Sequence, residues 1–496
     1  MALGAGLTAW WTASDLVPIT GDEPHYLIIA ASLLRDGDLD VRNNYEHNAR
    51  TREISGPIRP HAWRSGDGLR SFHAPGLGLL LALPFGIGGV IGARVALALL
   101  VAAVLAWTGW AWARDRLSAS NATLATAGLV FSAPAMAGGG YLYPDLLGGA
   151  LVAALTVRLL AAPLRSAMAW TCLLAVIGLL CALHPKNVAA AGMLVALALW
   201  QSWRARDTGW TILATSGLRR PRITAIAMAL AAAGAALVAA WLLADFADIF
   251  VRRLRTEFGA PPEKVLRVFL GLHLDQAQGM FFQQPLLIPG LAGLGWMIRR
   301  RHPFTLPWLA LYLSLLVPTV LHAYSEYGGA GPSGRFGWTA MWLWLVPLGI
   351  WIDAERETVL PYLRSTVFCA LAYQAALAVR WLPDPLVFYP RIYELLWNRN
   401  SLFPVPLRYS LPDFYYTSLD YLPNIVWTLA ALLLVVTGVL WTSSPARGRL
   451  RGIWAAGVAM AALVLPVEPT ADRVSAADER REEALALSLY LSLIHI

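Results

Sequence analysis

Long apolar runs separated by polar stretches extend along almost the whole chain. Each run has about 17–25 residues, the length that an α-helix needs to cross a hydrocarbon core of roughly 30 Å. The runs are continuous and lack the alternation that marks a half-buried strand. The pattern predicts an all-α fold, a polytopic transmembrane helical bundle of about 11–13 spans. The runs lie near residues 1–18, 92–113, 120–138, 145–163, 167–183, 187–203, 223–244, 282–298, 304–322, 337–352, 363–381, 424–442 and 452–466.

The composition supports this class. Of the 496 residues, 57% are hydrophobic and 14% are charged, whereas a soluble domain has roughly 45–50% apolar and about 25% charged residues. A disordered chain, a disulfide-rich secreted domain and a typical soluble enzyme are therefore excluded. The formal net charge is +8, but the arginines lie in short loops between the runs, which argues against nucleic-acid binding. By the positive-inside rule, these loops and the N-terminus are predicted to be cytoplasmic.

In this orientation, four long segments face the extracytoplasmic side, near residues 19–90, 245–281, 323–336 and 382–423. The first is the most polar part of the chain. Within it, residues 24–35 are expected to form an amphipathic helix on the membrane surface, because Pro24 suits a first helical position. Residues 75–90 form a second apolar piece that Pro84 and several glycines interrupt, which predicts a re-entrant or interfacial helix instead of a span. The aromatic segment 382–423 predicts either an interfacial cap or a wall for a lipid-linked substrate.

Two adjacent carboxylates stand where the first apolar run ends, in the sequence GDEPHY (21–26). A carboxylate at this position can act as a general base if it reaches the proton to be removed. Nearby hydrocarbon is expected to raise its pKa and make it more basic. The alternative is that Asp22 and Glu23 only complement the positive end of a helix dipole. Position alone leaves both interpretations open.

An acidic pair directly after the first span, followed by an amphipathic helix in a long first external loop, resembles the GT-C superfamily of membrane glycosyltransferases. Within that superfamily, the chain resembles the bacterial branch near the protein O-mannosyltransferases and the lipid A aminoarabinose transferases. The resemblance implies a catalytic transmembrane module over residues 1–381, with a first external loop near 19–90. Residues 382–496 would hold the aromatic segment, the last spans and a charged tail. The residues that carry the resemblance are GDEPHYLIIAASLLRDGDLD (21–40), SFHAPGLGLLL (71–81), YLYPD (141–145), HPKN (184–187) and GGAGPSGRF (328–336).

The resemblance implies an inverting transfer of a sugar from a polyprenyl phosphate to an acceptor hydroxyl. Asp22 matches the acidic residue proposed as the family's general base. Glu23 matches its neighbour, which would hold the acceptor or support the base. Because the leaving group is a phosphate, positive charge or strong hydrogen-bond donors must meet it.

Arg335 is the first candidate for the phosphate, since a guanidinium gives a planar, bidentate contact. Lys186, one of only two lysines in the chain, and His73 are the others. The alternative interpretations are that Arg335 is a snorkelling arginine, Lys186 an interfacial anchor and His73 a structural histidine. Asp245, Asp248 and Asp275 are weaker acidic candidates on the same side. The candidates for binding the sugar or the acceptor are Tyr26, His25, Tyr143, Asp145 and His184.

The sequence contains no metal-binding motif, P-loop or convincing dinucleotide fingerprint. We therefore predict no certain cofactor and no metal ligands, and leave a divalent cation open. The expected partners are a polyprenyl-phosphate-linked sugar, membrane lipids, and a glycan, lipid or protein acceptor, without nucleic acid. The expected location is the plasma (inner) membrane, with an extracytoplasmic or periplasmic active site. Two alternatives remain: a non-enzymatic polyprenyl-lipid carrier or flippase, and a glycan ligase or polymerase. The sugar, a hexose or a pentose, stays open.

Overall fold

The structure is a computed structural model that describes residues 2–56, 58–204, 261–321, 332–383, 385, 410–415 and 417–441. The described chain is helical apart from one short antiparallel hairpin, β1 (Ala62–Ser65) and β2 (Gly68–Ser71), in which Ala62 pairs with Ser71. The helices of the N-terminal half are α1 (Ala2–Ala13), α2 (Glu23–Arg35), α3 (Arg42–Thr51), α4 (Gly76–Ala113), α5 (Ala119–Val130), α6 (Ala133–Met136), α7 (Pro144–Ala161), α8 (Ala167–Leu183) and α9 (Asn187–Arg204).

The second half of the described chain continues the helical pattern with shorter elements. Two of its turns are 3-10 helices, Pro285–Leu287 and Trp342–Trp344. The α-helices are α10 (Pro262–Leu274), α11 (Met280–Gln283), α12 (Pro289–Arg299), α13 (Thr305–Val320), α14 (Arg335–Met341), α15 (Leu345–Ala354), α16 (Arg356–Trp381) and α17 (Leu422–Leu440).

Four helices in the described part of the chain are long and apolar enough to cross a membrane, namely α4, α7, α17 and residues Arg356–Val379 of α16. Shorter apolar helices cover Ala167–Leu183, Asn187–Ser202, Pro285–Arg299 and Thr305–Val320. These findings confirm the helical membrane class. Several predicted spans are broken within their length, and prolines at the first helical positions mark two of the breaks, before α6 and α12. The predicted spans 223–244 and 452–466 lie outside the described residues.

Two expectations concern the first external loop. The separate helical piece predicted near residues 75–90 is present as residues 76–87 of α4, because non-helical backbone at Gly88 and Gly89 divides this helix. Gly89 has a φ of +58°, a conformation that favours glycine. Helix α2 is present, but the amphipathic character predicted for it is wrong, since every residue of Glu23–Ser32 is buried.

Helix α2 is buried because it packs against α4, where glycines bring the two helices close together. A Cβ atom on Gly78 would lie 2.6 Å from the Ile29 side chain, and one on Gly86 would lie 2.6 Å from the Leu34 side chain. Helix α4 also packs against α1 and α7, and α7 packs against α14. The N-terminal ends of α2, α7 and α14 are thereby brought together. The predicted boundary after residue 381 coincides with the end of α16 at Trp381 and stays a prediction.

Candidate active site

Asp22 and Arg335, which are far apart in the sequence, form an ion pair where the N-terminal ends of α2 and α14 meet. Both terminal nitrogens of Arg335 donate to Oδ2 of Asp22, at 3.2 and 3.1 Å. The Asp22 side chain is 27% exposed and that of Arg335 is 10% exposed. Among the described residues, the buried Nε of Arg335 has no hydrogen-bond acceptor. The pair therefore lies at an accessible edge and keeps one donor unused.

The electrostatic surroundings of Asp22 differ from the expectation. Burial raises the pKa of Asp22, but the charges of Arg335, His73, His61 and His25 together outweigh burial and hold this pKa well below its usual value. The predicted rise of the pKa is therefore wrong, because apolar surroundings are opposed by an adjacent guanidinium. Asp22 occupies the N-cap position of α2, yet within the described structure its side chain does not cap that helix. The ion pair, and not helix capping, accounts for its orientation.

Glu23 points away from Asp22 and is completely buried. Its two carboxylate oxygens accept hydrogen bonds from one nitrogen of Arg94 at 3.1 and 3.0 Å, and Arg94 is itself 1% exposed. The backbone N–H groups of Thr20 and Leu142 also donate to this carboxylate. Glu23 thus links α2 to α4 and to the segment before α7. In this structure the carboxylate has no surface on which to hold an acceptor.

A second ion pair lies beside the first, between Lys186 and Asp145, the second residue of α7. Their side chains are only 8% and 4% exposed. The Lys186 ammonium is 5.1 Å from the centre of the Phe336 ring, and the Arg335 guanidinium is 5.0 Å from the same centre. One aromatic ring therefore contacts both cations that the sequence proposed for a phosphate. Cation–π contacts of this kind hold cations at a defined place.

Three further candidates border these pairs. The Arg335 guanidinium lies 4.2 Å from the centre of the Tyr143 ring, and the Tyr143 hydroxyl donates to the carbonyl of Thr20. Tyr26 is buried, and its ring centre is 4.9 Å from that of His73. Burial, followed by the charge of Lys186, lowers the pKa of His184 to about 3.

His25, His73 and a residue that the sequence analysis did not single out, His61, form a cluster next to Asp22. Nδ1 of His61 is 3.3 Å from Nε2 of His73, and each of these atoms is 3.9 Å from Oδ1 of Asp22. The rings of His25 and His61 are stacked at 3.8 Å between centres. Burial, then the neighbouring imidazoles, lower the pKa of His25 to about 2, so this ring is neutral near pH 7.

The structure therefore assembles all ten candidate site residues around the N-terminal ends of α2, α7 and α14, with Glu23 on the buried side. Of the weaker candidates, Asp245 and Asp248 lie outside the described residues. Asp275 lies apart from the site, where its carboxylate accepts N–H groups of residues 277, 278 and 415. Sequence reasoning missed Arg94 and His61. For Arg94 a signal existed, because an arginine inside an apolar run is costly unless it is paired. His61 precedes a polar hairpin, and no spacing singles it out.

Comparisons with known proteins give structural neighbours only. No family model matches the chain, and no curated protein matches it. Two solved structures are similar, both of ArnT from Cupriavidus metallidurans. The apo form aligns with a TM-score of 0.42 and 16% identity over 98% of this chain and 73% of that one. The form bound to undecaprenyl phosphate aligns with a TM-score of 0.43 and 16% identity over 99% and 75%.

Proposed function

We propose that this chain is a membrane-embedded, inverting glycosyltransferase. It moves a sugar from a polyprenyl-phosphate donor to an acceptor hydroxyl at the extracytoplasmic face of the membrane. The observation that carries the proposal is the contact between Asp22 and Arg335. It joins a carboxylate that can accept a proton to a guanidinium that can bind a phosphate, at one partly exposed point between apolar helices.

The surroundings of Arg335 support a role in binding the donor phosphate. Its Nε–H is a buried donor without an acceptor among the described residues, and a phosphate oxygen would satisfy it. Lys186 contacts the same Phe336 ring, so a second cation is close by. A guanidinium that faces a phosphate stabilises negative charge as it develops on the leaving group.

The reaction then needs few groups. The acceptor oxygen attacks the anomeric carbon of the sugar from the side opposite to the phosphate, and the new C–O bond forms as the bond to the phosphate oxygen breaks. The electron pair of that bond leaves with the polyprenyl phosphate, which Arg335 and Lys186 neutralise. The hydroxyl proton passes to Asp22. Glu23, held by Arg94, fixes the start of α2 and acts as a positioning residue.

The same geometry makes the base dependent on the donor. While Arg335 contacts Asp22, the pKa of this carboxyl stays low, and a carboxylate with a low pKa is a weak base near pH 7. A bound donor phosphate competes for the guanidinium, and as Arg335 turns towards it, Asp22 loses the largest of the charges that lower its pKa. The neighbouring histidines remain, but burial, which raises the pKa of Asp22, is then opposed less strongly. Donor binding would thus activate the base.

The test is transfer of labelled sugar by the purified, full-length protein from a panel of polyprenyl-phosphate hexoses and pentoses to membrane extracts. We expect product with the wild type and none with Asp22→Asn. Asp67→Asn, which changes an exposed acid of the same loop, is the matched control and should retain activity. Normal turnover by Asp22→Asn would remove it as the base. Specific lipid binding without transfer by either protein would favour the carrier, and transfer only from diphosphate-linked glycans would favour the ligase.

A pH profile tests the coupling between donor and base. The acidic limb of kcat reports the enzyme–substrate complex, and that of kcat/KM reports the free enzyme. We expect the limb of kcat at the higher pH, because the pKa of Asp22 is expected to rise when the donor is bound. Coincident limbs would show that Arg335 does not leave Asp22 during the reaction.

A further inference from the structure

Three imidazoles from separate parts of the chain converge beside Asp22. His25 belongs to the first turn of α2, His61 directly precedes β1, and His73 follows β2. One possible ligand nitrogen from each ring lies within 4.8 Å of the others. We propose that His25, His61 and His73 bind a divalent transition-metal ion of the Zn²⁺ class, with the fourth position open towards Asp22 and solvent.

The hairpin holds two of the three rings in place. The register of β1 and β2 pairs Ala62 with Ser71, which brings the residues flanking the two strands together. The N–H of Phe72 donates to the carbonyl of His61 at 2.8 Å, and the N–H of His73 donates to the hydroxyl of Ser71 at 3.1 Å. Because backbone bonds fix both segments, binding a metal would need little movement of their backbone, whereas the His25 ring, stacked on His61 at 3.8 Å, would have to turn.

One of the three distances between ligand nitrogens already suits tetrahedral coordination, and all three nitrogens lie within 4.8 Å of one another. Zn–N bonds of about 2.0–2.1 Å in a tetrahedron place two ligand nitrogens about 3.3 Å apart. Nδ1 of His61 and Nε2 of His73 are 3.3 Å apart in the structure. Neutral imidazole nitrogens are the preferred ligands of Zn²⁺ and related divalent ions. The nearby carboxylate adds negative charge, which further favours a cation.

The third ring has the support that metal-binding histidines usually have. Nδ1 of His25 is 2.7 Å from the Tyr45 hydroxyl, which leaves Nε2 as the ligand atom. The same hydroxyl accepts the backbone N–H of His61 at 3.3 Å, so Tyr45 orients two members of the cluster. A hydrogen bond to the second ring nitrogen fixes the tautomer and direction of a ligand histidine.

The two carboxylate oxygens of Asp22 face different neighbours, Arg335 on one side and the histidine cluster on the other. Oδ2 accepts from Arg335, whereas Oδ1 lies 3.9 Å from the nitrogens of both His61 and His73. Metal binding therefore does not require the ion pair to break. The His61 side chain is 42% exposed, which gives the ion a path from solvent.

Metal binding does not depend on the reaction, but its consequence for catalysis rests on the proposed function. A hydroxyl at the fourth position would have a lower pKa, as oxygen bound to Zn²⁺ does. Asp22 would then lie beside the proton that must leave.

The experiment uses full-length protein purified in detergent and stripped with a chelator. Zn²⁺ affinity is measured by competition with a chromophoric chelator, and Co²⁺ is added separately to record its absorption spectrum. We expect one equivalent of metal and a tetrahedral Co²⁺ spectrum for the wild type. His47→Ala, an exposed histidine of the same loop, should match the wild type. Tyr45→Phe should bind about 10–100-fold more weakly, the usual effect of losing a hydrogen bond to a ligand histidine.

The ligand variants His61→Ala and His73→Ala should bind more weakly than Tyr45→Phe and lose the Co²⁺ spectrum. Monodispersity on size exclusion shows that they are folded, and the wild-type spectrum is decisive without any variant. Absence of a tetrahedral spectrum in the wild type, or unchanged affinity in His61→Ala, would overturn the site. Stoichiometric metal without sugar transfer would refute only the proposed function. Transfer without any metal binding would refute only the metal site.

Discussion

The buried pair between Glu23 and Arg94 gives the sharpest prediction about stability. Arg94 donates to the Glu23 carboxylate and also to the carbonyls of Val17 and Pro18, at 2.8 and 3.0 Å. One guanidinium therefore joins α4 to α2 and to the segment after α1. We choose the substitution Arg94→Met because it keeps most of the side-chain volume and removes the charge.

The expected loss follows from burial. Glu23 is 0% exposed and Arg94 is 1% exposed, so water cannot replace the lost partner. Removing one member of a buried ion pair costs about 3–5 kcal/mol, since the remaining charge stays uncompensated. The double variant Glu23→Gln/Arg94→Met leaves no buried charge at this place. It should therefore be more stable than Arg94→Met alone.

The assay is the free energy of unfolding from SDS titrations in mixed micelles, together with the midpoint of thermal unfolding. Arg114→Met is the control, because Arg114 pairs with Asp115 at the surface, where the side chains are 58% and 66% exposed. Exposed pairs contribute about 0–1 kcal/mol. If Arg94→Met were no more destabilising than Arg114→Met, or the double variant less stable than Arg94→Met, the account of this pair would be wrong.

Three more predictions concern packing, pH and the donor site. Gly438→Leu should separate α17 from α12 and lower the thermal midpoint, because a Cβ at Gly438 would lie 1.8 Å from the carbonyl oxygen of Ala292; an unchanged midpoint would contradict this packing. Burial, then the charge of Asp413, raises the pKa of Asp275 from 3.8 to about 7, so the folded state binds the proton more tightly. Stability from this group should therefore fall as the pH rises from about 4 to about 7, and Asp413→Asn should flatten that slope in thermal unfolding at stepped pH. Arg335→Lys should raise the KM for the donor more than 10-fold, because an ammonium loses the bidentate contact; an unchanged KM would place the phosphate elsewhere.

The sequence was sufficient to predict the helical class and to single out five short blocks, which the structure brings together. GDEPHY, SFHAP, YLYPD, HPKN and the end of GGAGPSGRF come together at the ends of α2, α7 and α14. Apolar runs predict helices reliably because burial of backbone groups in an apolar medium demands internal hydrogen bonds. The breaks within runs were harder to predict, since a proline can begin a new helix or bend an existing one.

Within the site, the sequence indicated which residues matter but not their partners. It identified Asp22 and Arg335 separately, and their contact reverses the expected direction of the Asp22 pKa. The family resemblance assigned Glu23 a role beside the base, although consecutive helical residues point in different directions. Glu23 points away from Asp22 and is buried with Arg94. This orientation depends on the packing of α2 on α4, which no local sequence pattern encodes.

The break in α4 has a consequence for how deeply the protein sits in a bilayer. At about 1.5 Å per residue, a straight helix of this length would extend roughly 57 Å, far beyond a hydrocarbon core of about 30 Å. The non-helical backbone at Gly88 and Gly89 leaves residues 90–113 as the portion that matches the membrane thickness. Residues 76–87 instead pack along α2, which Gly78 and Gly86 approach closely. Hydrophobic matching along residues 90–113 fixes the depth of the kink at Gly88 and Gly89 in the bilayer. The position of this kink in turn sets the height of the Asp22–Arg335 pair relative to the lipid headgroups.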